Sequence, residues 1–299
     1  MPVCVVGSLA FDTIHTPSGA ATEVLGGSAT FFAAAAAYFG PVRLVGVVGE
    51  DFPARFRAQL AQRQVDCAGL ETKPGRTFRW EGRYSADMNS RETLRVELNA
   101  FGEFEPTVPA SYRQSEVVFL ANAAPRTQRR VLEQMERPRF VAADTMDLWI
   151  ETAREDLQEL LGRIDALTIN DGEARQLTGH TNLYTAARTI LGWGPRAVIV
   201  KKGEHGAICV TNDGSSALPA YPVERLVDPT GAGDAFAGGL CGHLAERGAM
   251  GLAELKRGLA YGTVCASFAV QGFSLDGFRN VTRHDIDERL ERFQAMLAF

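Results

Sequence analysis

One stretch, Val227-Asp-Pro-Thr-Gly-Ala-Gly-Asp-Ala-Phe-Ala-Gly-Gly239, restricts the chain more than any other. A short apolar run, Arg225-Leu226-Val227, precedes it. A proline-free run, Ala235 to Ala245, follows with apolar residues at helical spacing. The pattern predicts a strand ending near Asp228, a turn through Pro229 and the glycines, and a helix opening near Ala232. The N–H groups of Gly231, Ala232 and Gly233 would then stand at a helix N-terminus, unobstructed by large side chains. Such a terminus has unpaired donors and a partial positive charge, and it draws anions. Asp234 falls in the same turn, where a phosphate would repel it unless its carboxylate had a task. That task is to take a proton from a hydroxyl attacking a phosphoryl group held by the N–H donors. A lone Gly-Ala-Gly-Asp would read as a tight turn with a dipole-stabilised aspartate; the full string in its strand–turn–helix context favours the chemical reading. Two commoner phosphate motifs are excluded. There is no G-x-x-x-x-G-K-[ST], and Phe236 stands where a dinucleotide fold would place its third glycine.

The string resembles the C-terminal signature of the ribokinase-like (PfkB) family of sugar and nucleoside kinases. The resemblance implies one α/β domain over residues 1–299, a doubly wound, mostly parallel sheet flanked by helices. It also implies a small β lid inserted at about residues 13–25 and 76–100. The implied activity is ATP-dependent transfer of the γ-phosphoryl group to a hydroxymethyl group of a small sugar. Asp234 would be the general base and Gly231, Ala232 and Gly233 the anion hole. A nucleoside is the alternative acceptor, and a non-catalytic metabolite-binding regulator the alternative of another class.

Other segments carry the resemblance further. Val3-Cys-Val-Val6 reads as a strand buried on both faces. It runs into Gly7-Ser-Leu-Ala-Phe-Asp12, and in the family an aspartate at the place of Asp12 holds a substrate hydroxyl. Gly26-Gly27-Ser-Ala-Thr30 opens a helix-favouring alanine-rich stretch, with Gly26 and Gly27 letting substrate approach the backbone. Thr30 stands where the family commonly has an asparagine. Arg43 to Val48 is a second buried strand, followed by a Gly49-Glu-Asp51 turn and a helix over 53–63. Phe78, Trp80 and Tyr84 alternate with Arg79, Glu81 and Arg83, and Leu94, Val96 and Leu98 alternate again. This pattern predicts a two-stranded amphipathic ribbon, the lid and a possible homodimer contact. Phe78, Trp80, Tyr84 and Phe101 could stack on a nucleoside base.

From Val117 strands and helices alternate. Asp144, ending the strand 139–143, is a substrate-site candidate. It opens a loop like that of the family's keto-sugar-acid kinases, but Met146 and Leu148 replace the asparagine and arginine. A helix over 150–161 follows. Asn170-Asp-Gly-Glu173 matches the family's N-x-x-E motif, which implies that Glu173 helps hold Mg²⁺, through water, beside the nucleotide. Lys202, Gly203 and Gly206 resemble the turn beside the nucleotide, with Thr230 as a further contact. Asp228 and Thr230 match a monovalent-cation site of relatives, so K⁺ joins ATP and Mg²⁺ among the expected ligands. The small residues Gly262, Ala266 and Ser267 suggest close packing beside the adenine. Thr282-Arg-His-Asp285 is a capping box opening the last helix.

A net charge of −5 argues against nucleic-acid or membrane partners, and no apolar run reaches the length of a membrane span. The N-terminus reads as a strand and not as a secretory leader. Five scattered cysteines, four of them in apolar surroundings, suit reduced thiols in a cytoplasmic protein.

Overall fold

The computed structural model describes residues 1–248 and 251–298. Strands β1 (Val3–Val6), β2 (Ala10–Thr16) and β3 (Gly19–Gly26) lead into helix α1 (Ser28–Ala36). Then come β4 (Val42–Gly49), α2 (Ala54–Ala61), β5 (Val65–Lys73), β6 (Phe78–Tyr84), β7 (Arg91–Glu97) and β8 (Val117–Leu120). The chain continues through α3 (Pro125–Leu132), β9 (Phe140–Asp144), α4 (Asp147–Thr152), α5 (Arg154–Leu161), β10 (Ala166–Asn170), α6 (Asp171–Thr178) and α7 (Leu183–Leu191). Last come β11 (Ala197–Lys201), β12 (Ala207–Thr211), β13 (Gly214–Leu218), α8 (Ala232–Arg247), α9 (Leu252–Ala269) and α10 (Arg283–Leu297).

Nine strands form the main sheet in the order β13-β12-β11-β10-β9-β8-β1-β4-β5. From β5 to β11 every neighbour is parallel, and only the β11–β12 and β12–β13 pairs are antiparallel. The parallel strands are the continuous apolar runs of the sequence, because helices cover both of their faces. Chain order reverses at β1, with β4 on one side and β8 on the other, which is where open α/β sheets gather ligands.

The two faces are packed differently. On one, Val6, Leu120, Leu167 and Val200 meet the leucines of α5 and α7. On the other, α1, α8 and α9 come almost backbone to backbone. A Cβ on Gly238 would lie 2.3 Å from the Phe32 carbonyl, and one on Gly262 would lie 2.6 Å from that of Phe236. Gly262 therefore serves close helix packing, as its small size suggested.

A second sheet, β3-β2-β6-β7, covers the carboxyl edge of the first. The sequence suggested a two-stranded ribbon. The other expected lid segment, about 13–25, runs through β2 and β3 and joins that ribbon, with β2 parallel to β6. Two expectations fail locally. The helix expected over 150–161 is broken at Ala153 (φ −139°, ψ 38°) into α4 and α5. Arg225–Val227 is not a strand, because its polar groups are bound elsewhere. Val227 N–H donates to Val270 O at 2.8 Å, and Leu226 O and Val227 O accept from Ser18 Oγ and Thr16 Oγ1, both at 2.9 Å. The capping box of Thr282 and Asp285 is present, and the five cysteines are free. Among the described residues no helix is long and apolar enough to cross a membrane.

Candidate active site

Asp144, Asn170 and Lys201 end three adjacent parallel strands. Thr168 is registered against Asp144 and Asn170 against Lys201, so period-two alternation puts all three on the face that α8 covers. Lys201 Nζ donates to Asp144 Oδ2 at 3.1 Å, with the two side chains only 18% and 8% exposed. Burial alone would lower the ammonium's pKa; Asp144, Glu173 and Asp234 outweigh it and raise it. Lys201, not the sequence candidate Lys202, is therefore the lysine of the site. Lys202 begins the next turn, its N–H donating to Gly206 O at 2.7 Å. Gly203 and Gly206 both have positive φ, 54° and 80°, as that turn requires.

Asn170 caps α6 in a full capping box. Its Oδ1 accepts the Glu173 N–H at 2.8 Å, and Glu173 Oε2 accepts its own N–H at 2.9 Å. Glu173 is thus both a structural cap and a site acid. Burial, then the charge of Asp144, pushes its pKa up to about 7.

The helix of the signature begins where the sequence placed it. Gly231 is its N-cap at φ 75°, and a Cβ there would lie 2.2 Å from the Phe31 ring, so no other residue fits. The anion hole differs in one member. Ala232 N–H donates to Pro229 O at 3.1 Å, whereas the N–H groups of Gly231 and Gly233, and that of Asp234 beside them, have no acceptor among the described residues. A Cβ on Gly233 would lie 3.0 Å from Lys201 Nζ, so the ammonium stands beside the first turn of α8. Asp234 keeps some surface open to the cleft but is crowded by protein on all sides. Burial, then the charges of Asp144 and Asp12, raises its pKa to about 8, against the opposing pull of Lys201 and Arg91.

Asp12 lies within β2 and not in a strand-end loop, and it is 4% exposed. A Cβ on Gly26 would stand 1.9 Å from its Oδ2, and Gly27 (φ 96°) lets the backbone turn past it. Burial and the charge of Asp228 raise the Asp12 pKa to about 7, with the Gly27 N–H and Arg91 pulling the other way. Thr30 is fully buried and its hydroxyl donates to Gly26 O at 2.7 Å, so it faces protein and not the cleft. Asp144, a candidate for the acceptor, is bound to Lys201. Asp228 is fully buried. Its Oδ1 accepts the Thr230 N–H at 2.8 Å, its Oδ2 has no partner, and burial raises its pKa to about 6.

The second sheet is tied to this floor. Thr230 Oγ1 donates to Tyr84 Oη at 3.1 Å, and Asn89 Nδ2 donates to Glu204 Oε1 at 2.8 Å across to the turn after β11. Phe101 stacks on both Phe78 and Phe104, with centroids 5.6 and 5.8 Å away, so its ring is taken up by protein, and one face of Phe78 with it.

Free N–H donors at a helix start, a buried lysine beside them and a poised carboxylate in the same turn define a phosphotransferase built on an α/β sheet. The comparisons with known proteins give it a family. The model of the pfkB family of carbohydrate kinases matches residues 2–277. A cytidine kinase from Thermococcus kodakarensis is 32% identical over 247 residues, 80% of this chain and 87% of that protein. A fructokinase from Klebsiella pneumoniae is 28% identical, over 89% and 92%. The structure of a Burkholderia thailandensis nucleoside kinase in complex with inosine shares the fold, with TM-score 0.78, 21% identity and coverage of 98% and 99%. This chain belongs to the pfkB family of carbohydrate kinases and is a kinase of the sugar and nucleoside type.

Proposed function

We propose that the chain moves the γ-phosphoryl group of ATP onto a hydroxymethyl group of a small sugar, with Asp234 as general base. One observation carries this reading. Asp234 sits in the first turn of α8 with its pKa raised to about 8, beside N–H donors that have no acceptor among the described residues. The acceptor's hydroxyl proton passes to the Asp234 carboxylate as its oxygen bonds to the γ-phosphorus. The bond from phosphorus to the β–γ bridging oxygen breaks, and ADP leaves. The N–H groups of Gly231, Gly233 and Asp234, with Lys201, stabilise charge on the group in transfer. Asp12 holds a second hydroxyl and so fixes which one reaches Asp234.

Buried acids outnumber cations here: Asp144, Glu173 and Asp234 share one lysine. That surplus fits Mg²⁺, which when bound would neutralise the nucleotide phosphates, with Glu173 holding one of its waters. The unpartnered, buried Asp228 Oδ2 similarly fits K⁺, with Thr230 beside it. Asn170 would orient Glu173 through their capping box, and the Gly203–Gly206 turn would border the nucleotide. The second sheet, held over the floor by Tyr84 and Asn89, would act as a lid that excludes water from the transfer. Its outer strand β7 exposes Leu94 (38%) and Val96 (50%), with Leu98 (38%) just beyond, which supports a homodimer through this edge.

A nucleoside acceptor is the second reading, supported by the position of Trp80. It is registered against Asp12 across β2 and β6, an indole beside the aspartate assigned to hydroxyls. The test is ADP release from Mg·ATP over a panel of free sugars, polyols and nucleosides, with Asp234→Asn alongside. Turnover on one class that disappears in the variant supports the reading. Turnover surviving at the wild-type rate in Asp234→Asn would overturn the role of the base.

A further inference from the structure

The cleft contains two cations, and they govern different halves of it. Lys201 is buried against Asp144. Arg91 opens β7, registered opposite Tyr84, and its guanidinium lies over the Trp80 ring, 5.4 Å from the centroid. The indole also packs close to Gly82, where a Cβ would come within 2.2 Å of the ring. Trp80 is registered against Asp12, and paired residues project from the same face of a sheet. The indole, the guanidinium and the Asp12 carboxylate are therefore neighbours on the cleft side of the lid. The charge of Arg91 is felt at Asp12, Tyr84 and Asp234, and that of Lys201 at Glu173 and Asp234. Asp234 feels both.

Arg91 forms no ion pair among the described residues, so the in-plane donors of its guanidinium remain free for a ligand. A planar fork held flat by an indole suits a flat partner with adjacent, fixed hydrogen-bond acceptors. A sugar hydroxyl offers one rotatable oxygen and no flat face. An anionic acceptor would have to enter beside Asp12, Asp228 and Asp234, three carboxylates that repel it. A neutral nucleobase meets both conditions.

We propose that Arg91 and Trp80 form the specificity pocket for the base of a nucleoside acceptor. Arg91 donates to neighbouring acceptor atoms on the base edge, such as O2 and N3 of a pyrimidine, and Trp80 holds the guanidinium in plane. Neither residue takes part in the bond changes. The proposal rests on the kinase reading above and, of its two acceptors, takes the second, the nucleoside, on the strength of Arg91 and Trp80.

The test uses the full chain with Mg·ATP. It compares kcat/KM on ribose with that on the best of cytidine, uridine, adenosine and guanosine, for the wild type, Arg91→Gln, Arg91→Lys and Trp80→Leu. The wild type is expected to favour the nucleoside. Arg91→Gln should reduce the nucleoside-to-ribose ratio by about 10–100-fold, mainly through the nucleoside KM, because a site built to hydrogen-bond its ligand then lacks a donor. Arg91→Lys should restore only part, since an ammonium lacks the fork, and Trp80→Leu should shift the ratio in the same direction. The rise in melting temperature caused by the nucleoside without ATP should shrink in step. An equal fall in kcat on both acceptors with KM unmoved would overturn the proposal and assign Arg91 to the transferring phosphoryl group. Turnover of ribose with every nucleoside ignored would sink the base pocket and leave the kinase reading standing. Absence of turnover and of any thermal shift with all five compounds would count against both.

Discussion

Lys201 and Arg91 both act on Asp234, yet they are held in opposite ways. Lys201 ends a central strand, is buried, and is bound to Asp144 at 3.1 Å. Arg91 starts the exposed outer strand of a four-stranded sheet and leans on an indole without an ion-pair partner. The floor of the cleft is therefore fixed by the same packing that holds the main sheet together. The roof is tied down by side-chain contacts near the surface: Tyr84 with Thr230, Asn89 with Glu204, Arg79 with Asp51, and Thr16 and Ser18 with the Val227 and Leu226 carbonyls. A fixed floor suits the ATP phosphates, which are the same in every turnover. A roof tied by side chains suits an acceptor that must enter, be selected and leave.

The largest effect should come from Asp234, where the halves meet. Asp234→Asn should lower kcat by about 10²–10⁴-fold on any acceptor, as loss of a general base does; a loss confined to one acceptor would show that the halves do not converge there. Next, Lys201→Ala strands Asp144 in a buried position and should cost about 3–5 kcal/mol of folding stability in denaturant melts. Arg91→Ala, at an exposed site, should stay within about 0.5 kcal/mol. Similar costs for the two would erase the contrast.

A third prediction concerns pH. Asp12, Asp228, Asp234 and Glu173 have pKa values raised to between about 6 and 8, so the folded chain holds protons that the unfolded chain has already released above pH ~4. Stability should fall as pH rises through that window, because the native state binds the extra protons. The melting temperature should therefore drop more steeply between pH 5 and 8.5 in the wild type than in Asp234→Asn; parallel slopes would mean that Asp234 is not held protonated by its surroundings. Smaller effects belong to the roof. Tyr84→Phe removes one hydrogen bond, worth about 1 kcal/mol, and should raise the acceptor KM several-fold. Asn89→Ala, at an exposed contact, should change KM by roughly twofold at most.

Much of the floor was legible in the sequence because it depends on local patterns. Gly231 and Asp234 follow from a glycine turn leading into an apolar helix, and Asn170 with Glu173 from an N-x-x-E pattern at a strand end. Lys201 was missed although a signal existed. Ala197, Ile199 and Lys201 share a strand face, and that is the face α8 covers. Choosing Lys202 amounted to choosing the wrong parity. The strand expected at Arg225–Val227 failed because the Val227 N–H is bound to Val270 O while Thr16 and Ser18 take the Val227 and Leu226 carbonyls, a partnership some 210 positions away in sequence. Thr30 failed for a local reason, since a threonine in the first turn of a helix can donate back to the carbonyl four residues earlier. Arg91 depended on strand pairing in the second sheet, and the sequence alone does not give that register.

The central claim is that Asp234, perturbed by both halves of the cleft, removes the acceptor's proton. It is tested most directly by kcat/KM against pH from 6 to 10, on the acceptor that the wild type uses best. The account predicts a rise through a pKa near 8, where Asp234 in the free enzyme loses its proton, and the absence of that limb from the residual activity of Asp234→Asn. A flat profile, or the same limb persisting in the variant, would contradict it.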